Sequence, residues 1–317
     1  MALLFRRHSK SAMAPLVRKM MMVTLLGSVA SRPLIPDSTP FTHAPFILTH
    51  DAGSGYLPGG LVNGWTKTQS NGLAGQLECG ARAFDARPLN DPDKGLIWHH
   101  GGVAVDYSFN QSIADIKTWC ARNPDELVLM TVWDCEGKGC MEAVGAAALA
   151  QNVSNVQDCR AIQTTYGQAK AMGKLRTGGS FLIITGPPTP NAVACAITKY
   201  ESSLACNCRC WTTDAAHEQE MEKIKTYLDG FTALGLSETA FMQAQTLWQE
   251  SPESVTCGTV RNSSLVTDER KSGLNRFLAD QVRAGRWAKQ LNLLEVNDVC
   301  DPDGSGNDLL AALREKL

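Results

Sequence analysis

An α/β fold built on a parallel sheet is predicted by two patterns in the 317-residue chain. From about residue 45 onward, short and nearly continuous apolar runs bounded by Gly, Pro, Asn or Asp alternate with helical stretches, as strands covered by helices do. The polar residues His50, Asp51, Arg87, His100, Asp134 and Asp298 also fall at or just past the C-terminal ends of such runs. Parallel α/β sheets carry their sites at that end.

Seven strand candidates follow in order: Phe46–Thr49, Ala83–Arg87, Leu96–His100, Leu127–Val132, Phe181–Thr185, Ala240–Thr246 and Leu291–Val296. Ser108 to Ala121 places Ile113, Ile116 and Trp119 at helical spacing, and Asn123-Pro124 ends that helix. Glu218 to Leu228, Asp268 to Ala284 and Leu309 to the end read as further amphipathic helices. No composition break marks a linker, so one domain spans residues 45–317, after an N-terminal extension over 31–44 and a leader over 1–30. No Gly-x-Gly-x-x-Gly or P-loop follows any strand, which speaks against nucleotide binding.

The leader carries five basic residues (Arg6, Arg7, Lys10, Arg18 and Lys19) and no acid, then a short apolar run from Met20 and small residues at Ser28-Val-Ala30. That is the layout of a secretory signal peptide; an organelle transit peptide is the alternative. Eleven cysteines and three sequons, at Asn110, Asn152 and Asn262, favour export and disulfides. Without the leader, 25 basic residues face 32 acidic ones, a net −7. Such a chain is no general nucleic-acid binder and does not adsorb strongly to anionic lipid by charge alone. The sequence leaves the oligomeric state open.

Four segments carry candidate chemistry: Leu48-Thr-His-Asp-Ala-Gly-Ser-Gly55, Gln76-Leu-Glu-Cys-Gly-Ala-Arg-Ala-Phe-Asp-Ala-Arg87, Trp98-His-His-Gly101 and Val296-Asn-Asp298. On a strand, Asp85 and Arg87 share one face while Phe84 and Ala86 take the other. The same parity separates His99 from His100, and His100, which precedes Gly101-Gly102, is the better candidate for the mouth.

Thr49-His-Asp-Ala-Gly, then Gln76-Leu…Gly80-x-Arg82-x-Phe-Asp-x-Arg87, then His100-Gly, resembles the X domain of phosphatidylinositol-specific phospholipase C, in particular the bacterial-type phosphodiesterases. The resemblance covers roughly residues 45–300. It implies a single distorted TIM-type (β/α)8 barrel and a phosphoric diester hydrolase acting on a phospholipid-type headgroup, with transient contact to a membrane surface. It also implies roles for individual residues. His50 is the general base and His100 the general acid, a pairing suited to imidazoles that exchange protons near neutrality. Asp298 orients His50. Asp51 and Asp85 are hydrogen-bonding partners around the phosphate and Arg87. Arg87 stands where calcium-dependent relatives hold acidic residues, so no metal cofactor is expected.

The chain departs from the inositol-cleaving pattern at three places. It has Trp133-Asp134 where a lysine is expected, Thr185-Gly-Pro-Pro where an arginine is expected, and Ala216, near Asp214, in place of a ring-stacking tyrosine. Trp133, Asp134, Asp214 and Asp85 are the candidate substrate-binding residues. Two other readings stay open: a metal-dependent glycerophosphodiesterase or sphingomyelinase D-like barrel using Glu78 and Asp85, and a catalytically silent secreted barrel that binds lipid or glycan.

Overall fold

The computed structural model describes residues 34–186, 195–198, 205–206, 214–250, 252–287 and 289–317. The leader and two of the three cysteines of Cys206-Asn-Cys-Arg-Cys210 lie outside them.

Among the described residues thirteen strands form in chain order: β1 Phe46–Thr49, β2 Ala83–Ala86, β3 Pro88–Asp91, β4 Gly95–His100, β5 Val103–Val105, β6 Leu127–Val132, β7 Ser154–Val156, β8 Ser180–Ile184, β9 Ala196–Thr198, β10 Ala205–Cys206, β11 Phe241–Gln245, β12 Gln249–Glu250 and β13 Leu293–Val296. Eight of them make one curled, all-parallel sheet in the order β7-β8-β6-β2-β1-β13-β11-β9. Among the described residues no ladder joins β7 to β9, so this is a distorted TIM-type barrel rather than a fully closed one.

Two three-residue strands, β7 and β9, are absent from the sequence reading, because three residues are too few to show a period. The Leu96–His100 run is a strand, but not a barrel strand. It is the centre of an antiparallel meander, β3-β4-β5, paired Pro88 to Trp98 and His100 to Val103. The Asp91 carboxylate accepts the N–H groups of Asp93 and Lys94 and turns the chain between β3 and β4. The single helix expected over 268–284 is two, Leu265–Ser272 and Leu274–Arg283, separated by Gly273 in the left-handed region at φ 66°.

Alternation along the barrel strands sets the core. Ile47, Phe84, Val128, Met130, Phe181, Ile183, Leu294 and Val296 face outward under the helices. Phe46, Leu48, Ala83, Leu127, Leu129, Leu182, Ile184, Phe241 and Leu293 fill the interior. Phe41, from the N-terminal extension, packs edge-on against Phe46 and Phe241 and joins that inner cluster. One step toward the C-terminal ends, the same inward series turns polar at Asp85, Thr131, Gln243 and Glu295. Apolar at one end and polar at the other, the interior defines a mouth.

A buried ion cluster ties the other end together. Glu126, at the start of β6, takes Arg82 at 3.0 Å and Arg314 of the C-terminal helix Gly306–Arg314 at 2.7 Å. Arg82, part of the motif run, thus has a structural place far along the strand from the mouth. Burial raises the Glu126 carboxyl, but the two guanidinium groups outweigh it and hold it at about 2, against an ordinary 4.5.

Among the described residues, disulfides bridge Cys79 to Cys300, Cys135 to Cys140 and Cys159 to Cys195, and Cys120 is a buried free thiol. Asn110, Asn152 and Asn262 of the three sequons are exposed. Among the described residues no helix is long and apolar enough to cross a membrane.

Replacing Glu126 with alanine leaves two buried guanidinium groups without their carboxylate and should cost ~3–5 kcal/mol in denaturant unfolding. Because the folded-state value is depressed, the contribution of Glu126 in the native protein is complete above about 4.5 and disappears as pH falls toward 2. Acid unfolding followed by circular dichroism should therefore begin at higher pH in a Glu126→Gln variant.

Candidate active site

β1 ends at Thr49, and the next two residues leave the sheet: His50 donates its backbone N–H to the Val296 carbonyl, and Asp51 turns into the left-handed region at φ 44°. Asp and Asn tolerate that conformation better than other non-glycine residues. Gly53 then packs flat on Trp98, where a Cβ would lie 2.4 Å from the indole, so only glycine lets this turn sit against the meander. The segment 66–69 braces the turn. Thr68 donates its hydroxyl to the His50 carbonyl at 2.7 Å, and the Gln69 side-chain amide spans the carbonyls of His50 and Val296.

β2 supplies Asp85, buried, and just beyond its end Arg87. The meander brings His100 back beside them: the 88-to-98 pairing continues to a bond from the His99 N–H to the Arg87 carbonyl at 2.9 Å. His99 points inward at 2% exposure, with its ring nitrogens toward the carbonyls of Gly101 and Asp134, while His100 faces the mouth.

One carboxylate gathers these groups. Asp51 Oδ2 lies 3.1 Å from His50 Nε2 and 3.0 Å from His100 Nε2, and Asp51 Oδ1 lies 2.6 Å from Arg87 Nε. The ring centroids of the two histidines are 6.3 Å apart. Arg87 also donates through Nε and Nη2 to Asp85 Oδ2, which in turn accepts the Asp51 backbone N–H.

Burial raises the Asp51 carboxyl, but His50, His100 and Arg87 together hold it far below the ordinary carboxylate range. Burial disfavours the charged form of His100. The bond and charge of Asp51 and the Thr66 carbonyl prevail, and the net shift is upward. Both nitrogens of His100 face acceptors, Thr66 O at 2.5 Å and Asp51 Oδ2, so this ring is held ready to donate from Nε2.

His50 meets a different partner from the one expected. Its Nδ1 lies 2.9 Å from Asn297 Oδ1, and Asp298 is turned away. Asp298 pairs with Arg270 at 2.5 Å and accepts the Ser70 N–H, acting as a strut between the 68–70 segment and the helix Leu265–Ser272. The reason is parity. On β13 the inward residues are Leu293 and Glu295, so the next inward residue is Asn297. The family resemblance implied the acid at Asp298, and the strand alternation delivers Asn297 instead. Glu295 lies beneath the site, bonded to Gln243 and pushed upward by its burial.

The remaining candidates are peripheral. Trp133 is half-buried and donates to Thr131 Oγ1, and Asp134 is exposed. Asp214 begins the helix Asp214–Thr232, and its side chain lies outside the described residues. Glu78 is exposed and paired with Arg122, which removes it from the metal set proposed with Asp85. His50, Asp85 and Glu295 do offer ligand atoms within 4.8 Å of one another, but Arg87 already occupies Asp85, and a cation there would sit beside a fixed guanidinium.

No known family model matches the chain. Solved structures do. A variant of phosphatidylinositol-specific phospholipase C from Staphylococcus aureus superposes with a TM-score of 0.63 at 15% identity, covering 89% of this chain and 95% of that one. The enzyme of the same name from Listeria monocytogenes gives 0.57 at 12%, covering 89% and 96%. The chain has the phosphatidylinositol-specific phospholipase C fold. A further Staphylococcus aureus structure, described as addressing membrane binding by that enzyme, matches at 0.60 and 16%.

With Asp51 replaced by asparagine, the His100 imidazolium loses the partner that raises it. Ring-proton NMR should show His100 titrating above the ordinary histidine range in the wild type and moving down in Asp51→Asn. An unchanged midpoint would show that Asp51 does not govern it.

Proposed function

We propose that the protein is a phosphodiesterase that cleaves a phospholipid-type phosphodiester by intramolecular attack, with His50 as general base and His100 as general acid. The supporting observation is the convergence of both Nε2 atoms, with Arg87, on one anionic point, now held by Asp51 Oδ2 and Oδ1. Two imidazoles and a guanidinium around an anion suit a phosphoryl group, whose oxygens take over these donors.

A substrate hydroxyl next to the phosphodiester gives its proton to His50 Nε2, and its oxygen bonds to phosphorus. The bond from phosphorus to the leaving oxygen breaks, and that oxygen takes the Nε2 proton of His100. The products are a cyclic phosphodiester and a free alcohol. Asp51 keeps His100 protonated, and Arg87, anchored by Asp85, offsets charge on the non-bridging oxygens without a metal.

A bilayer-borne substrate fits the rim. Leu61 and Val62 are 66% and 69% exposed on the short helix Leu61–Thr66, whose last residue gives its carbonyl to His100. Disulfides and exposed sequons suit the secreted setting read from the leader.

His50→Ala and His100→Ala should each lower turnover ~10²–10⁴-fold, the scale of a positioned acid or base. Phosphorus NMR should show a cyclic phosphate signal, and a chelator should leave the rate unchanged. Loss of activity with chelator and its return with calcium would overturn the metal-free reading. Leu61→Asp with Val62→Asp should slow cleavage of phospholipid vesicles and spare a soluble, short-chain analogue.

A further inference from the structure

An amide, unlike a carboxylate, has two unlike ends. A carboxylate against His50 Nδ1 would accept a proton whichever way it turned. Asn297 does so only with Oδ1 toward the ring; flipped, it would offer an N–H and favour the ring form that carries its hydrogen on Nε2. That form has no lone pair where the base needs one. The amide therefore has to be held, and the structure shows what holds it.

Asn297 Nδ2 lies 3.3 Å from Glu269 Oε2, and both side chains are buried, at 0% and 2% exposure. The Oε2 oxygen accepts the amide N–H₂ end and leaves Oδ1 for His50 at 2.9 Å. The backbone is fixed as well: Asn275, on the next helix, donates its side-chain amide to the carbonyls of Asn297 and Asp298 at 3.0 and 3.1 Å. Glu269 and Arg270, consecutive on Leu265–Ser272, thus engage the consecutive residues Asn297 and Asp298.

We propose that Glu269 is a positioning residue for the reaction: by orienting the Asn297 amide it holds His50 in the Nδ1–H form and leaves Nε2 as the proton acceptor. The inference rests on the His50 role given above. Other groups facing the ring are Asp51, Asp85, Arg87, His100 and Glu295; none of them touches Nδ1, and Asp51 Oδ2, 3.1 Å from Nε2, favours a hydrogen there until a phosphoryl group displaces it.

The test uses the full chain with nitrogen-15 histidine. Ring nitrogen shifts, read in an Asp51→Asn background so that no carboxylate faces Nε2, should place the hydrogen of neutral His50 on Nδ1 when Glu269 is native. E269Q can donate to Asn297 and so permits the flipped amide; its ring should move toward the Nε2–H form, with kcat down ~10–100-fold, the scale for outer partners of catalytic groups. E269Q/N297D keeps the net charge and nearly the volume of the native pair, so it stays foldable even where E269Q is not. It should restore the Nδ1–H form and activity, and move the acid limb of the pH profile upward because a carboxylate then touches the ring. An E269Q protein with wild-type ring shifts and turnover, or a folded E269Q/N297D protein without the Nδ1–H form, overturns the proposal. The ring measurement needs no substrate. A switch of ring form in E269Q, with no phosphodiester cleaved by any of the proteins, would leave the positioning role standing and remove the phosphodiesterase reading.

Discussion

The buried Asp51 carboxylate, shared by two imidazoles and one guanidinium, is the interaction on which the rest of the site depends. A lone carboxylate in that position would carry a desolvation cost of several kcal/mol or lose its charge. The Arg87 guanidinium and the His100 Nε2–H offset that cost, joined by His50 when its ring is protonated, and the three come from different pieces of chain: the end of β2, the returning strand of the meander and the end of β1. Satisfying one acid therefore fixes the relative positions of three segments.

The barrel makes this possible through period-two alternation. Inward residues run from Phe46, Ala83, Leu127 and Leu293 at one end to Asp85, Thr131 and Glu295 at the other. Apolar packing below keeps the polar residues above at fixed heights, because parallel pairing sets neighbouring strands in register. The Arg82–Glu126–Arg314 cluster anchors the opposite end with a second buried charge set. Arg82 lies within the motif run yet serves stability, so membership of a motif does not by itself assign a residue to chemistry.

Much of this was legible in the residues. Strand parity put Asp85 with Arg87 and separated His99 from His100, and both relations hold in the structure. The alternating runs gave the parallel α/β class, and the ordered motifs gave the barrel. What escaped had physical causes. Asp298 is the acid that the family resemblance implies beside His50, whereas the inward parity of Leu293 and Glu295 leads to Asn297. The meander was read as a barrel strand because Leu96–His100 is apolar enough to look buried on both sides. Gly273 split a helix that the apolar pattern alone carried through. The supports from Thr66, Thr68 and Gln69 act through backbone carbonyls, which leave no pattern in side-chain type.

The central claim is that His50 and His100 address one phosphoryl group together. A titration of nitrogen-15 histidine protein with a non-cleavable phosphonate analogue of a phospholipid tests it most directly. The Nε2 signals of both rings should move in parallel along a single binding curve as the phosphonate oxygens replace the Asp51 carboxylate. Movement of one ring alone, or two curves with different midpoints, would contradict a shared site.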